Sequence, residues 1–214
     1  MYLPAHFEET RPDVLHDFVR RHPLGLLVTH GAAGLAANPM PFLLDADGAA
    51  GHGTLRAHVA RANPVWREGA ADGSALVVFQ GPHAYVSPSW YPAKAEHGKV
   101  VPTWNYVMVQ ARGRLRAIDD AAWLRRLVTR LTERHEAALP TPWSVNDAPP
   151  DYLETMLRAI VGIEIELEAL TGKWKLTQNR SAADRAGVVR GLEAVGGDAA
   201  RAVAAAVAHP GAAG

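Results

Sequence analysis

Short apolar runs alternate with turn residues along the chain, and the period of each run predicts its element. Val14, Leu15, Phe18 and Val19 recur at helical spacing. Thr10-Arg11-Pro12-Asp13 starts that helix, with proline in the first turn and an acid near the amino-terminal dipole, and Pro23 stops it. Residues 25–30 and 35–44 read as a hairpin around the turn 31–34. Its second strand carries Pro39 and Pro41, which lack ladder donors, so it belongs at a sheet edge or is interrupted there. A turn follows at 45–48, then a strand at 53–59, a short helix within 60–69 broken near Asn63-Pro64, and strands at 76–80 and 100–118.

Asp119 or Asp120 caps the next helix, whose stripe is Trp123, Leu124, Leu127, Val128 and Leu131. Residues 141–150 are proline-rich and irregular. Tyr152, Leu153, Met156, Leu157 and Ile160 form a shorter amphipathic helix. Ile163, Ile165 and Leu167 then alternate with Glu164, Glu166 and Glu168, a half-exposed strand. A last helix is predicted over 182–195. The remainder, residues 195–214, is rich in alanine and glycine and reads as a fraying or disordered tail. Strands at short intervals with few long helices favour a mainly β, antiparallel barrel with peripheral α-helices, and residues 1–194 read as one domain.

Composition narrows the chemistry. Of 214 residues, 48% are hydrophobic and 21% charged, an ordinary globular mixture. Lys plus Arg and Asp plus Glu both number 22, so no basic excess suggests docking to nucleic acid through the overall field. The absence of cysteine excludes disulfides, thiolate metal sites and a Cys nucleophile. The first residues lack the basic and apolar regions of a signal peptide, and no apolar run approaches a membrane span, so the expectation is a cytoplasmic protein. Among the 10 histidines no His-Glu-x-x-His or similar ligand spacing occurs, and no metal site is predicted. No P-loop, dinucleotide fingerprint, nucleophile elbow or paired carboxylates are present, so no catalytic residue is assigned.

The most unusual stretch is 81–113. It sets Tyr85, Trp90, Tyr91, Trp104 and Tyr106 among prolines and small polar residues. Rings beside hydroxyls and an amide suit a flat, heteroatom-rich ligand, and a loop anchored by its aromatics is the alternative. The segments Tyr2-Leu-Pro4 with His6-Phe7, His22-Pro-Leu-Gly25, Asn38-Pro-Met-Pro41 and His58-Val-Ala-Arg61-Ala-Asn63-Pro64 are followed by Ser87-Pro-Ser-Trp-Tyr91, Val101-Pro-Thr-Trp-Asn-Tyr106 and Gly172-Lys-Trp-Lys-Leu-Thr-Gln-Asn179. In this order they resemble the PaiB family of FMN-binding negative transcriptional regulators, from Met1 to about Leu192. Thr177 stands where that family often has serine.

The resemblance implies a pyridoxamine-phosphate-oxidase-like split β-barrel, a homodimer, and FMN in a groove at the dimer interface. The residues expected at the flavin are His58, Arg61, Asn63, Ser87, Thr103, Trp104, Asn105, Lys175, Gln178 and Asn179. Arg61, at a strand-to-helix junction, is the favoured phosphate ligand. Thr103, Trp104 and Asn105 suit the ring edge. Lys173, Trp174, Lys175, Gln178 and Asn179 suit a clamp from the partner subunit, against the alternative of a solvated turn. Three functions follow from different classes: a flavin-binding repressor, a flavin-dependent oxidoreductase of unknown substrate, and a dimer with a vestigial pocket. For the oxidoreductase, Tyr85, Ser87, Trp90 and His97 are the substrate-orienting candidates. DNA is a possible partner, directly or through another protein. The arginines of the helix near 123–137 read as a solvated face.

Overall fold

A computed structural model of the chain describes residues 1–47, 51–68 and 73–209. The end of the turn expected at 45–48, Gly69 after the short helix, and the last five residues of the tail lie outside them. The described residues group into two compact units. One comprises Pro23–Val78 and Ala111–Leu170, the other Met1–His22, Phe79–Gln110 and Thr171–Gly214, where the sequence suggests one domain.

The sheet strands are β2 (Leu24–Gly31), β3 (Gly34–Pro41), β4 (Leu43–Asp45), β5 (Thr54–Ala60), β6 (Ser74–Val86), β7 (Thr103–Ile118) and β8 (Ile160–Lys175). Their order is β3-β2-β6-β7-β8-β5-β4. The registered neighbours are antiparallel: β2 on β3, β2 on β6, β4 on β5 and β5 on β8. The order has two ends, so the barrel expected from the sequence is an open path of pairing among the described residues. β3 stands at one end and breaks before Phe42, as Pro39 and Pro41 require.

In the first unit the buried faces of these strands are continuous. Leu27, Leu55, Val77, Ile163, Ile165 and Leu167 have no exposed surface. Each contributes about 1.5–3 kcal/mol of hydrophobic burial. The alternating Glu164 accepts hydrogen bonds from Arg56 (2.8 Å) and Arg116. Burial opposes its charge, yet the two guanidinium groups outweigh burial and hold its carboxyl below the ordinary value. Helix α4 (Ala121–Glu136) starts at Asp120, whose carboxylate accepts the Trp123 amide hydrogen at 2.6 Å. Its Trp123 ring lies against Gly162, where a β-carbon would come within 2.3 Å, so only glycine fits beneath it. Helices α2 (Val65–Glu68) and α5 (Pro150–Arg158) complete this unit.

The second unit contains the far ends of β6, β7 and β8. Helix α1 (Pro12–Arg21) buries Leu15, Phe18 and Val19, and the Phe18 ring meets Trp174 at 5.4 Å between centroids. The segment from Gly172 is not a turn. β8 runs through Lys175, and its end pairs with β1 (Glu8–Glu9), Glu8 opposite Lys173 and Glu9 opposite Gly172. The short helix α3 (Ala93–His97) lies in the loop between β6 and β7. Helix α6 (Ala182–Val195) forms as the sequence predicts. A β-carbon on Gly187 would lie 2.0 Å from the Trp90 carbonyl oxygen, and one on Gly191 2.2 Å from the Trp90 ring. That glycine notch seats the loop.

The expected disordered tail is instead, over Asp198–Ala208, helix α7. Its Ala200, Val203, Ala204, Ala206 and Val207 are buried. Alanine is the best helix former, and a stripe of alanine with valine is apolar enough to pack.

Candidate flavin site

Within the second unit, the ends of three strands present one face of rings and amines. Period-two alternation puts Trp104 and Tyr106 of β7 on one side and Asn105 on the other. Trp104 is 52% exposed, and its ring lies 5.8 Å from His83 and 6.2 Å from Tyr85, both on β6. On β8, Lys173 and Lys175 share a face two residues apart. Lys173 Nζ lies 5.5 Å and Lys175 Nζ 5.9 Å from the Tyr106 ring centroid. Lys173 is nearly buried.

The partners of these amines are all neutral. Lys175 Nζ donates to Trp104 O at 2.6 Å and to Thr103 Oγ1. Lys173 Nζ donates to Tyr2 O at 2.9 Å and lies 5.7 Å from the Tyr2 ring. Among the described residues neither amine has a carboxylate within ion-pair distance. Glu8, opposite Lys173 in the ladder, makes no ion pair with it. Burial, and then the charge of Lys173, push Lys175 below its ordinary value. Two ammonium groups held together without a counter-ion are a costly arrangement that an anion relieves.

The loop after β8 is held by its own side chains. Thr177 is buried with φ 62°, an unusual conformation for a β-branched residue. Its hydroxyl donates to Leu176 O at 2.5 Å. Gln178 uses both ends of its amide locally, accepting from the Leu176 amide at 2.7 Å and donating to Trp174 O. Asn179 is exposed. Ser87 caps a single turn, its hydroxyl accepting from the Ser89 amide at 3.2 Å. Asn105 has no exposed surface, and both polar atoms of its amide lack a partner. It lies under the ring-bearing face rather than on it.

The other three expected residues belong to the first unit. His58 on β5 is half-buried, and burial lowers its imidazole below the ordinary value, favouring the neutral form. Arg61 is fully engaged: bidentate to Asp119 at 2.8 and 2.6 Å, and donating to Arg158 O at 2.8 Å and Ile160 O at 3.0 Å. Its charge is matched, and the hydrogen bond from Arg61 holds the Asp119 carboxyl below the usual range. Asn63 Oδ1 accepts from the Val65 amide and its Nδ2 donates to Asn38, both at 3.0 Å. It lines a cleft of about 560 Å³ with Thr29, Asn38 and Glu68, whose carboxylate opposes an anion. The structure thus brings together Thr103, Trp104 and Lys175, and keeps Gln178 in the adjoining loop. Arg61 and Asn63 serve local contacts of the first unit, and His58 stands half-buried on β5.

Tyr106 and Tyr2 join this face although they are not among the residues expected at the flavin, and Lys173 joins it from the segment expected to form the clamp. The sequence presents this segment as a clamp, against the alternative of a solvated turn, and only the strand β8 running on to Lys175 shows that the two lysines share one face.

The chain matches, over residues 1–169, the family described as "Putative FMN-binding domain". It is 33% identical over 193 residues to the protease synthase and sporulation protein PAI 2 of Bacillus subtilis, covering 90% of this chain and 89% of that one. The chain belongs to the PaiB family. FMN is the cofactor that membership assigns. A second PaiB relative, an uncharacterized protein of Emericella nidulans, is 35% identical over 238 residues and covers 95% of each chain. The fold resembles the FAD and heme binding protein of Mycobacterium smegmatis, with TM-score 0.59, 16% identity, and coverage of 89% of this chain and 80% of that one. It also resembles the flavocytochrome Anf3 of Azotobacter vinelandii, with TM-score 0.58, 11% identity, and coverage of 84% and 75%.

The residues present fit the PaiB cofactor. The two unmatched amines suit a phosphate, and the exposed Trp104 with its neighbouring rings suits a planar ring system. No helix among the described residues is long and apolar enough to cross a membrane.

Proposed function

We propose that this chain is an FMN-binding negative transcriptional regulator whose flavin phosphate is held by Lys175 together with Lys173. The observation that carries the reading of the site is the pair of ammonium groups with only neutral partners. Trp104 and Tyr85 then offer aromatic cover, and Thr103 and Gln178 lie close enough in the fold to set the lysines and the following loop. The flavin, when bound, supplies reversible electron transfer. Of the residues expected from the sequence, Arg61 passes to a structural role in this reading, because a phosphate would have to displace Asp119 to reach it.

The regulatory half of the proposal rests on the family and on the named Bacillus subtilis relative. It is an indirect regulator here. Arg130 of α4 is tied to Asp45, Arg125 donates to Asn146 at 3.2 Å, and Lys plus Arg equal Asp plus Glu at 22 each, so the overall field does not favour direct docking to DNA. DNA would be reached through another protein. The exposed Trp104, Tyr85 and Val101 favour a homodimer through this face.

Flavin titration tests the site. The parent chain should bind FMN at least about tenfold more tightly than riboflavin, since one charge-assisted contact is worth roughly 1.5–3 kcal/mol. Equal affinity for the two would refute the phosphate assignment. For the regulatory half, weak and strongly salt-dependent binding of the purified chain to promoter DNA is expected. Tight, sequence-selective binding that survives high salt would refute the indirect route, and light scattering reporting only monomer would refute the dimer.

A further inference from the structure

Lys173 is the more buried of the two lysines, and among the described residues its ammonium donates to the backbone carbonyl of Tyr2, 171 positions away in sequence. Residues 1–4 belong to neither helix nor strand, and the Tyr2 side chain is 84% exposed. The chain is pinned just beyond this segment, where Glu8 and Glu9 pair with the strand that carries the lysines. The Lys173 ammonium therefore lies near two rings, Tyr2 at 5.7 Å and Tyr106 at 5.5 Å, and bonds the carbonyl of Tyr2. A neutral carbonyl is a weaker partner for an ammonium than an anion is, because charge-assisted hydrogen bonds are about twice as strong as neutral ones.

We infer that residues 1–4 are a displaceable cap on the anion site: the Tyr2 carbonyl and a phosphate monoester compete for the Lys173 ammonium. The inference rests on the phosphate reading of this face. The cap lowers affinity for phosphorylated ligands alone, since a ligand without phosphate has no need to move it. It also gives a buried amine a hydrogen-bond partner of its own, which avoids leaving a charged donor without any.

The test is a double-mutant cycle in the full-length protein, read by flavin titration with FMN and riboflavin. Tyr2→Gly removes the ring near the ammonium and loosens residues 1–4, so FMN should bind about three- to tenfold more tightly while riboflavin is unchanged. Lys173→Met should cut the preference for FMN by about tenfold, the share of one charge-assisted contact, and Tyr2→Gly should then have no further effect. Lys173→Arg, which keeps the charge, should retain the preference and shows that the methionine variant fails through charge rather than folding. Unchanged or weaker FMN binding by Tyr2→Gly overturns the cap, as does tightening that persists beside Lys173→Met. If the parent shows no preference for FMN, the phosphate reading itself has failed and the cap falls with it. If the preference exists and depends on Lys173 but not on Tyr2, only the cap is wrong.

Discussion

Arg61 and the Lys173–Lys175 pair are both cations beside strand ends, yet the structure treats them in opposite ways. Arg61 meets a carboxylate and two carbonyls with a planar fork, and none of its charge is left over. The lysines meet only carbonyls, a hydroxyl and rings. The residue type that best suits a phosphate in principle is thus the one already satisfied. Availability of charge, not its presence, marks an anion site.

The comparison breaks most visibly if both amines go. Lys173→Met with Lys175→Met should weaken FMN by about a hundredfold or more, two charge-assisted contacts at about tenfold or more each, with riboflavin nearly unchanged. Equal losses for both flavins would mean that the lysines hold the ring or the fold. On the other side, Arg61→Ala should leave FMN affinity within about threefold of the parent, well below the loss of one charge-assisted contact, and lower the melting temperature slightly. A tenfold loss of FMN by that variant would restore Arg61 as the phosphate ligand.

A smaller effect comes from pH. Lys175 in the folded chain has a pKa below its ordinary value, so the unfolded chain binds the proton more readily. Its charge therefore costs stability at neutral pH, and that cost fades as pH rises through the window below the ordinary lysine value. Lys175→Met should melt at a higher temperature than the parent at pH 7, with the gap closing in alkaline buffer. A gap that widens with pH would contradict the sign. The smallest change expected is from Asn105→Leu. Removing a buried amide without partners should leave stability unchanged or slightly raised in chemical denaturation. A clear loss of stability would show that the amide has a partner, such as a buried water.

Much of the frame is legible in the amino-acid sequence alone. The helix expected over about 182–195 forms as α6, Asp120, one of the two aspartates expected to cap α4, does so, and two prolines place β3 at an end of the sheet. Local rules suffice for these because each is decided within a few residues. The pairing of Arg61 is not legible, since Asp119 lies 58 positions away and only the fold brings it near. Nor is α7, whose alanines look like low complexity until a neighbouring helix gives them something to cover. At the site, Thr103, Trp104 and Lys175 are recognisable through motif and ring chemistry. The burial of Asn105 is not, because a strand's two faces are assigned only once its register is known.

Pro39 and Pro41 have a consequence beyond marking an end of the sheet. A terminal strand is a template on which other chains can add, and each missing amide hydrogen removes one rung from that template. The same two residues that interrupt β3 make it a poor seed for fibrils. Replacing both with threonine would restore the rungs in a strand already flanked by the exposed Leu24 and Leu35, and the chain would trade a quiet edge for slow, concentration-dependent aggregation.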